Sequence, residues 1–421
     1  MTRRKKKRKL KIGRIIILIF LVVVVIYGLC NFNKKNEIVS PSKDLMPKLN
    51  DITEVNEFLQ KYKLNANITY EYSDVIVKDK VISQSIKESE EIHKGDIIDI
   101  IISLGKLDKE KLANDGINEL GKVPIMMYHG IREKNSNSTG TIGGNVDKDG
   151  YNRTPDAFRN DLEFYYEKGY RMVKLNDYIH GDIDVEYGKS PIILTFDDGN
   201  EDNIKVTGLD ENGNIIIDPN SAIGILEAFK KKHSDANVTA TFFVNGGMFN
   251  QEEYNEKIVK WMIKNGYDIG NHTQTHLDIG NSSSEQVQKE ISYVYDELEK
   301  LVPNKYVKII ALPFGSPYNK EDKNFKYVLS GEYNGKKYTT EAALRVGWEP
   351  EVSPYDKNFD MTYMKRCRAY DNNGNDFDIE MVFNMLKTTR YISDGNKDTI
   401  VISESNKDKL NSNLNKNIIT Y

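Results

Sequence analysis

Three observations predict a parallel α/β fold for the larger part of this chain. Short, continuous apolar runs recur near 123–128, 191–196, 239–244, 267–271, 308–312 and 399–403, the pattern of strands buried on both faces. Helix-like stretches alternate with them. Residues able to do chemistry follow directly after several of the runs, at the strand ends where such folds place their sites. Ahead of this region, residues 46–105 read as a small α+β unit.

From the N-terminus, residues 1–14 carry nine basic residues and no acid, and a charge-free apolar run follows from Ile15 to Leu29. That run is shorter than the roughly 20 residues a membrane span needs, but flanking Ile12 and Phe32, with a snorkelling Arg14, extend it. The expectation is a cytoplasmic tail at 1–14, one transmembrane anchor at 15–32, and everything after it outside a bacterial cell membrane. A cleaved signal peptide is the weaker reading, because no small-x-small site follows Leu29. Residues 33–45, with Ser40, Pro41 and Ser42, read as a linker.

In the small unit, a helix over 54–63 leads into a strand at Asn67–Tyr72. Further strands are predicted at Val81–Ser85 and Asp96–Gly105, with Lys94-Gly95 as a turn. In the larger region Thr154-Pro155 starts a helix that ends near Gly169, with proline at the favoured first position. Other helices are predicted at 221–232, 252–265, 284–301 and 378–387, and Ser283 with Gln286 forms a capping-box signal for the third of these. Glu211-Asn212-Gly213-Asn214 signals a hairpin between flanking apolar runs. The Lys- and Asn-rich segment 406–421 reads as a poorly packed tail.

Formal net charge is −4, and the remainder without the nine basic tail residues is −13, so nonspecific nucleic-acid binding is not expected. Only Cys30 and Cys367 are present, and no disulfide is expected.

The chemistry gathers at Asp197-Asp198, which close the run Pro191–Phe196, and at His272 and His276, which follow Tyr267–Asn271. Neighbouring aspartates cooperate only where a strand has ended and the chain turns, and Gly199 permits that turn. If the chain is helical after Asn271, i, i+4 spacing puts both imidazoles on one face. One carboxylate and two imidazoles suit a zinc-like ion with an open position, leaving the other aspartate free as a base. The plain alternative is a loop turn and two surface histidines.

Thr195-Phe196-Asp197-Asp198-Gly199, Thr241-Phe242-Phe243-Val244, His272-Thr273-Gln274-Thr275-His276 and Leu312-Pro313-Phe314-Gly315 resemble, in order, the motifs of the polysaccharide deacetylases, carbohydrate esterase family four. The likeness covers residues 122–405 and implies an incomplete (β/α) barrel. It also implies Asp197 as catalytic base, Asp198, His272 and His276 as ligands of a divalent metal such as zinc, and Pro313, Phe314 and Trp348 at the substrate. Two departures stand out. The arginine that usually precedes the third motif's proline is missing, and Arg345 is taken as the base-orienting candidate, with Arg366 and Arg368 as alternatives. No histidine follows His276, so the family's late acid is missing too. Val123–Gly130 resembles the opening of the branch acting on exported poly-N-acetylglucosamine, where an early histidine serves, and this makes His129 the candidate acid; a structural histidine at a strand end is the competing reading.

Residues 46–105, especially Lys80–Ser85 and the Lys94-Gly95 turn, resemble a PASTA module, which implies peptidoglycan binding or spacing. Together these resemblances imply an N-deacetylase of a cell-envelope glycan, with peptidoglycan favoured. The alternatives are β-1,6-linked poly-N-acetylglucosamine as substrate, or an inactive cell-wall-binding protein.

Overall fold

The computed structural model describes residues 44–93 and 95–421. The expected tail at 1–14, span at 15–32 and nearly all of the linker lie outside the described residues. Among the described residues no helix is long and apolar enough to cross a membrane. The chain divides into two compact units, with the boundary between Lys106 and Leu107.

In the first unit, α1 (Ile52–Tyr62) is capped by Asp51, whose carboxylate accepts from the amides of Thr53 and Glu54, satisfying donors the first helical turn leaves free. It precedes β1 (Asn65–Glu71), β2 (Val81–Gln84) and β3 (Ile97–Ser103), which form a sheet in the order β1-β3-β2. β3 alternates: Ile98, Ile100 and Ile102 are fully buried and join Val55 and Phe58 of α1 in one core, as period-two geometry requires.

The second unit opens with α2 (Lys109–Asn114) and continues through β4 (Ile125–Tyr128), α3 (Pro155–Glu167), β5 (Tyr170–Met172), α4 (Leu175–Ile179), β6 (Ser190–Phe196), the hairpin β7 (Val206–Leu209) and β8 (Ile215–Ile217), and α5 (Ala222–Lys232). There follow β9 (Thr241–Val244), α6 (Asn255–Lys264), β10 (Asp268–Asn271), α7 (Ser284–Leu301), β11 (Ile309–Ala311), α8 (Phe325–Leu329), the hairpin β12 (Ser330–Tyr333) and β13 (Lys336–Thr339), β14 (Ala342–Leu344), β15 (Cys367–Arg368) and α9 (Ile379–Leu386). The main sheet runs β14-β11-β10-β9-β6-β4-β15, with β5 beside the first half of β6, and every pairing in it is parallel. A bridge from Leu344 to Met364, just before β15, draws its two ends together. The result is a curled, partial barrel.

Although the strands read as continuous apolar runs, their residues alternate. Ile125, Ile193, Phe243, Ile309, Ala311, Ala342 and Leu344 share one core, while Met126, Tyr128, Leu194, Phe196, Phe242 and Ile269 pack on the other face against α3, α5 and α6. Gly270 lies on the Phe243 side, where a Cβ would come within 2.7 Å of that ring.

Three expectations need correction. The run at 399–403 forms β16 (Thr399–Ile402) but not as part of the main sheet; it pairs in parallel with β17 (Asn417–Thr420). The segment 406–421 is therefore not a loose tail: Ile419 is buried, and the Tyr421 hydroxyl donates to the Ile117 carbonyl at 2.7 Å. The chain after Asn271 is not helical, because Thr273 and His276 have φ of 61° and 59°, which no right-handed helix accommodates.

Candidate metal and catalytic centre

β6 ends at Phe196, and the Asp197 amide still donates to the Tyr128 carbonyl of β4 at 2.9 Å. The backbone then reverses at Asp198 and Gly199, with φ of 75° and 58°. Glycine is required at the second of these, since a Cβ there would sit 2.0 Å from the Met248 carbonyl oxygen. This turn sends the two carboxylates in different directions.

Asp197, 2% exposed, faces Arg366, 0% exposed, in a bidentate pair: Nη1 to Oδ1 and Nη2 to Oδ2, both 2.7 Å. Nη1 also donates to Thr195 Oγ1 at 3.2 Å, and Nε donates to the Arg345 carbonyl at 3.2 Å. Arg345 is thus corrected as the base-orienting residue. Only its backbone joins the arrangement; its guanidinium lies 5.1 Å from the Tyr363 ring centre. Burial works to raise the Asp197 pKa, but Arg366 and then His272 outweigh it and hold the carboxyl below its usual range.

Asp198 Oδ1 lies 3.3 Å from His272 Nε2 and 3.6 Å from His276 Nε2, and one ligand atom from each of the three falls within 4.8 Å of the others. The loop carrying the histidines is built by side chains. Asn245 Nδ2 donates to the carbonyls of His272 and Thr273, and the Glu290 carboxylate accepts from the amide and hydroxyl of Thr275. His272 Nδ1 is 2.8 Å from the Ala311 carbonyl, to which it can only donate. Its Nε2 is buried and has no hydrogen-bond partner among the described residues, so a lone pair is aimed at the cluster. Two imidazoles and a carboxylate placed this way fit a zinc-like ion. Burial opposes ionisation of Asp198, yet His272, His129 and His276 hold its pKa well down.

His129 follows β4 with Nε2 4.0 Å from Asp197 Oδ2. Burial pushes its pKa down. Residues not foreseen from the sequence fix this stretch: Asn203 Nδ2 donates to the His129 carbonyl at 2.7 Å, Asn152 Oδ1 accepts from Gly130, and Asp202 Oδ1 accepts from Ile131. Nothing in the local sequence marks these three as partners of a strand 22 to 74 residues away.

Of the residues expected at the substrate, Phe314 is 55% exposed with its ring edge-on to His276 at 4.5 Å, and Pro313 is buried beside it. Trp348 is 54% exposed.

Residues 184–328 match the polysaccharide deacetylase family, and residues 46–104 match the PASTA domain. The chain carries a polysaccharide deacetylase domain. It is 31% identical over 100 residues to the peptidoglycan-N-acetylglucosamine deacetylase of Bacillus cereus, covering 24% of this chain and 36% of that protein. It is 32% identical over 100 residues to the peptidoglycan-N-acetylmuramic acid deacetylase PdaA of Bacillus subtilis, covering 23% and 36%. The matched segments thus span little more than a third of these curated relatives. Among solved structures, the Streptococcus pyogenes deacetylase PplD in complex with acetate aligns at 20% identity, with a TM-score of 0.45, over 64% of this chain and 98% of that one.

Proposed function

We propose that this deacetylase domain is a metal-dependent hydrolase that removes N-acetyl groups from amino sugars of a cell-envelope glycan, peptidoglycan first, and that an N-terminal span anchors it outside the membrane. The observation that carries the reading is the division of labour between neighbouring aspartates: Asp197 is paired to Arg366, and Asp198 is grouped with His272 and His276. Two relatives named as peptidoglycan deacetylases and the PASTA domain support the polymer.

A divalent cation held by Asp198, His272 and His276, zinc by its donor set, would supply Lewis-acid polarisation and acidify water. Asp197 takes the proton of the attacking water, and Arg366 keeps it ionised and aimed. The amides of Gly315 and Ser316 are already committed to the Leu312 and Pro313 carbonyls, which leaves the Phe314 N–H as the expected donor to the oxyanion. His129 in its protonated form gives its proton to the sugar nitrogen as the C–N bond breaks and acetate leaves, the proton gained by Asp197 restores it, and the resulting amine is cationic at neutral pH.

The test is acetate release by the zinc-loaded chain from peptidoglycan strands, chitin oligomers and β-1,6-linked N-acetylglucosamine oligomers. Asp197→Asn should abolish release while bound zinc stays near one per chain; wall binding without acetate release would leave only a binding protein. His129→Ala should cut turnover much more than metal content, and loss of metal would make it a ligand. The position of His129 directly after β4 favours β-1,6-linked poly-N-acetylglucosamine as the second polymer to try.

A further inference from the structure

Arg368 lies two residues beyond Arg366, so both belong to the same face of the strand. β15 runs parallel to β4, with Arg368 opposite Met127, which places Arg368 nearer the strand ends than Arg366 and beside the segment that carries His129. Its guanidinium sits 4.1 Å from the Tyr370 ring centre and 5.1 Å from that of Tyr151. The Tyr151 ring, 37% exposed, stands edge-on to His129 at 5.0 Å.

Arg132, Arg153, Arg159, Arg171 and Arg366 each pair with a carboxylate, whereas Arg345 and Arg390 lie against the rings of Tyr363 and Tyr170 instead. Arg368 pairs with none among the described residues. Nη2 donates to the Asp149 carbonyl, and among the described residues Nε is buried without an acceptor and Nη1 makes no hydrogen bond. Two aromatic faces and one carbonyl thus fix the orientation of a cation whose charge is left uncompensated. A planar guanidinium held this way is a receptor for an oxyanion.

We infer that Arg368 is a specificity-determining residue that binds a carboxylate or phosphate carried by the substrate, on the sugar that loses its acetyl group or on the sugar next to it. This rests on the deacetylase reading above, because it is His129 beside the leaving nitrogen that places the scissile amide near Tyr151.

The full zinc-loaded chain is assayed on four probes. These are peptide-free strands of alternating N-acetylglucosamine and N-acetylmuramic acid, the same strands with their carboxylates converted to amides, neutral chitotetraose, and chitotetraose phosphorylated at C6. Wild type is expected to favour one anionic probe over its neutral counterpart by ten- to a hundredfold in kcat/KM, mostly through KM. In Arg368→Gln that ratio should fall to about one, with Arg368→Lys in between. Preference for the carboxylate or for the phosphate identifies the source of the anion. Equal kcat/KM on charged and neutral probes in wild type overturns the inference, as does an equal loss on both in Arg368→Gln, which would make the residue only a strut for Tyr151.

Equilibrium binding of the same probes to Asp197→Asn, with and without Arg368→Gln, needs no turnover. Arg368-dependent binding of an anionic probe with no acetate released by wild type from any probe keeps the anion site and sinks the hydrolase. Acetate release without Arg368-dependent binding does the reverse.

Discussion

The two ends of the same barrel strands are built on opposite terms. At the floor, Ile125, Ile193, Phe243, Ile309 and Ala342 meet one another and are stabilised by the apolar area they remove from water. At the mouth the side chains of Thr195, Asp197, Arg366 and His272 gather, all buried and all polar or charged. A buried ion pair roughly breaks even against hydrophobic residues of the same volume. The floor therefore holds the fold, and the charges at the mouth are retained for what they do.

The strongest way to break this comparison is to remove one partner of the pair. Arg366→Met leaves Asp197 buried and uncompensated, and should cost about 3–5 kcal/mol in denaturant unfolding and abolish acetate release. Arg345→Met should do neither, because only its backbone carbonyl is used. The sign with pH follows from the depressed Asp197 pKa: the pair's stabilisation is present above the unfolded carboxylate pKa and lost as pH falls through the folded one. Wild type should therefore lose stability on acidification in a range where Arg366→Met changes less, and parallel curves would show that the pair contributes nothing.

A smaller effect is expected where the mouth is held in place. Asn203 is fully buried and donates to the His129 carbonyl. Asn203→Ala should cost about 1–3 kcal/mol by leaving that carbonyl unpaired, and should lower kcat more than it raises KM. An unchanged kcat would mean that His129 needs no such support. At the floor, Ile193→Val should cost about 0.5–1.5 kcal/mol and leave kcat per folded molecule alone. A fall in kcat would couple the floor to the chemistry.

What the sequence made legible follows the same division. The floor strands announced themselves as apolar runs, and helix starts were readable where a cap sits beside its helix, as Thr154-Pro155 and Ser283 with Gln286 do. The doublet and the histidines were readable because each follows its own strand. In the sequence Arg366 is one of three candidate arginines, because its partner is 169 residues away and β15 is only two residues long, too short to show a period. The histidine loop has the spacing of a helix without being one, because i, i+4 spacing carries no information about φ. β16 looked like any other buried strand, and only its pairing with the last residues of the chain set it apart.

The last test concerns Cys367, whose side chain points the opposite way from Arg366. It is fully buried in the core shared with Met126, Ile379 and Val382, and burial pushes its thiol pKa far up. A thiol in that state is not a nucleophile at neutral pH, so alkylation must wait for the strand to open. Iodoacetamide labelling of the Cys367 peptide in the native chain at pH 8 should be on the order of a thousandfold slower than in denaturant, given the opening equilibria usual for a core strand. In Arg366→Met the rate should rise with the stability lost. If it does not, the strain of an unpaired Asp197 stays on the inner face of the strand, and the two faces of β15 are energetically separate.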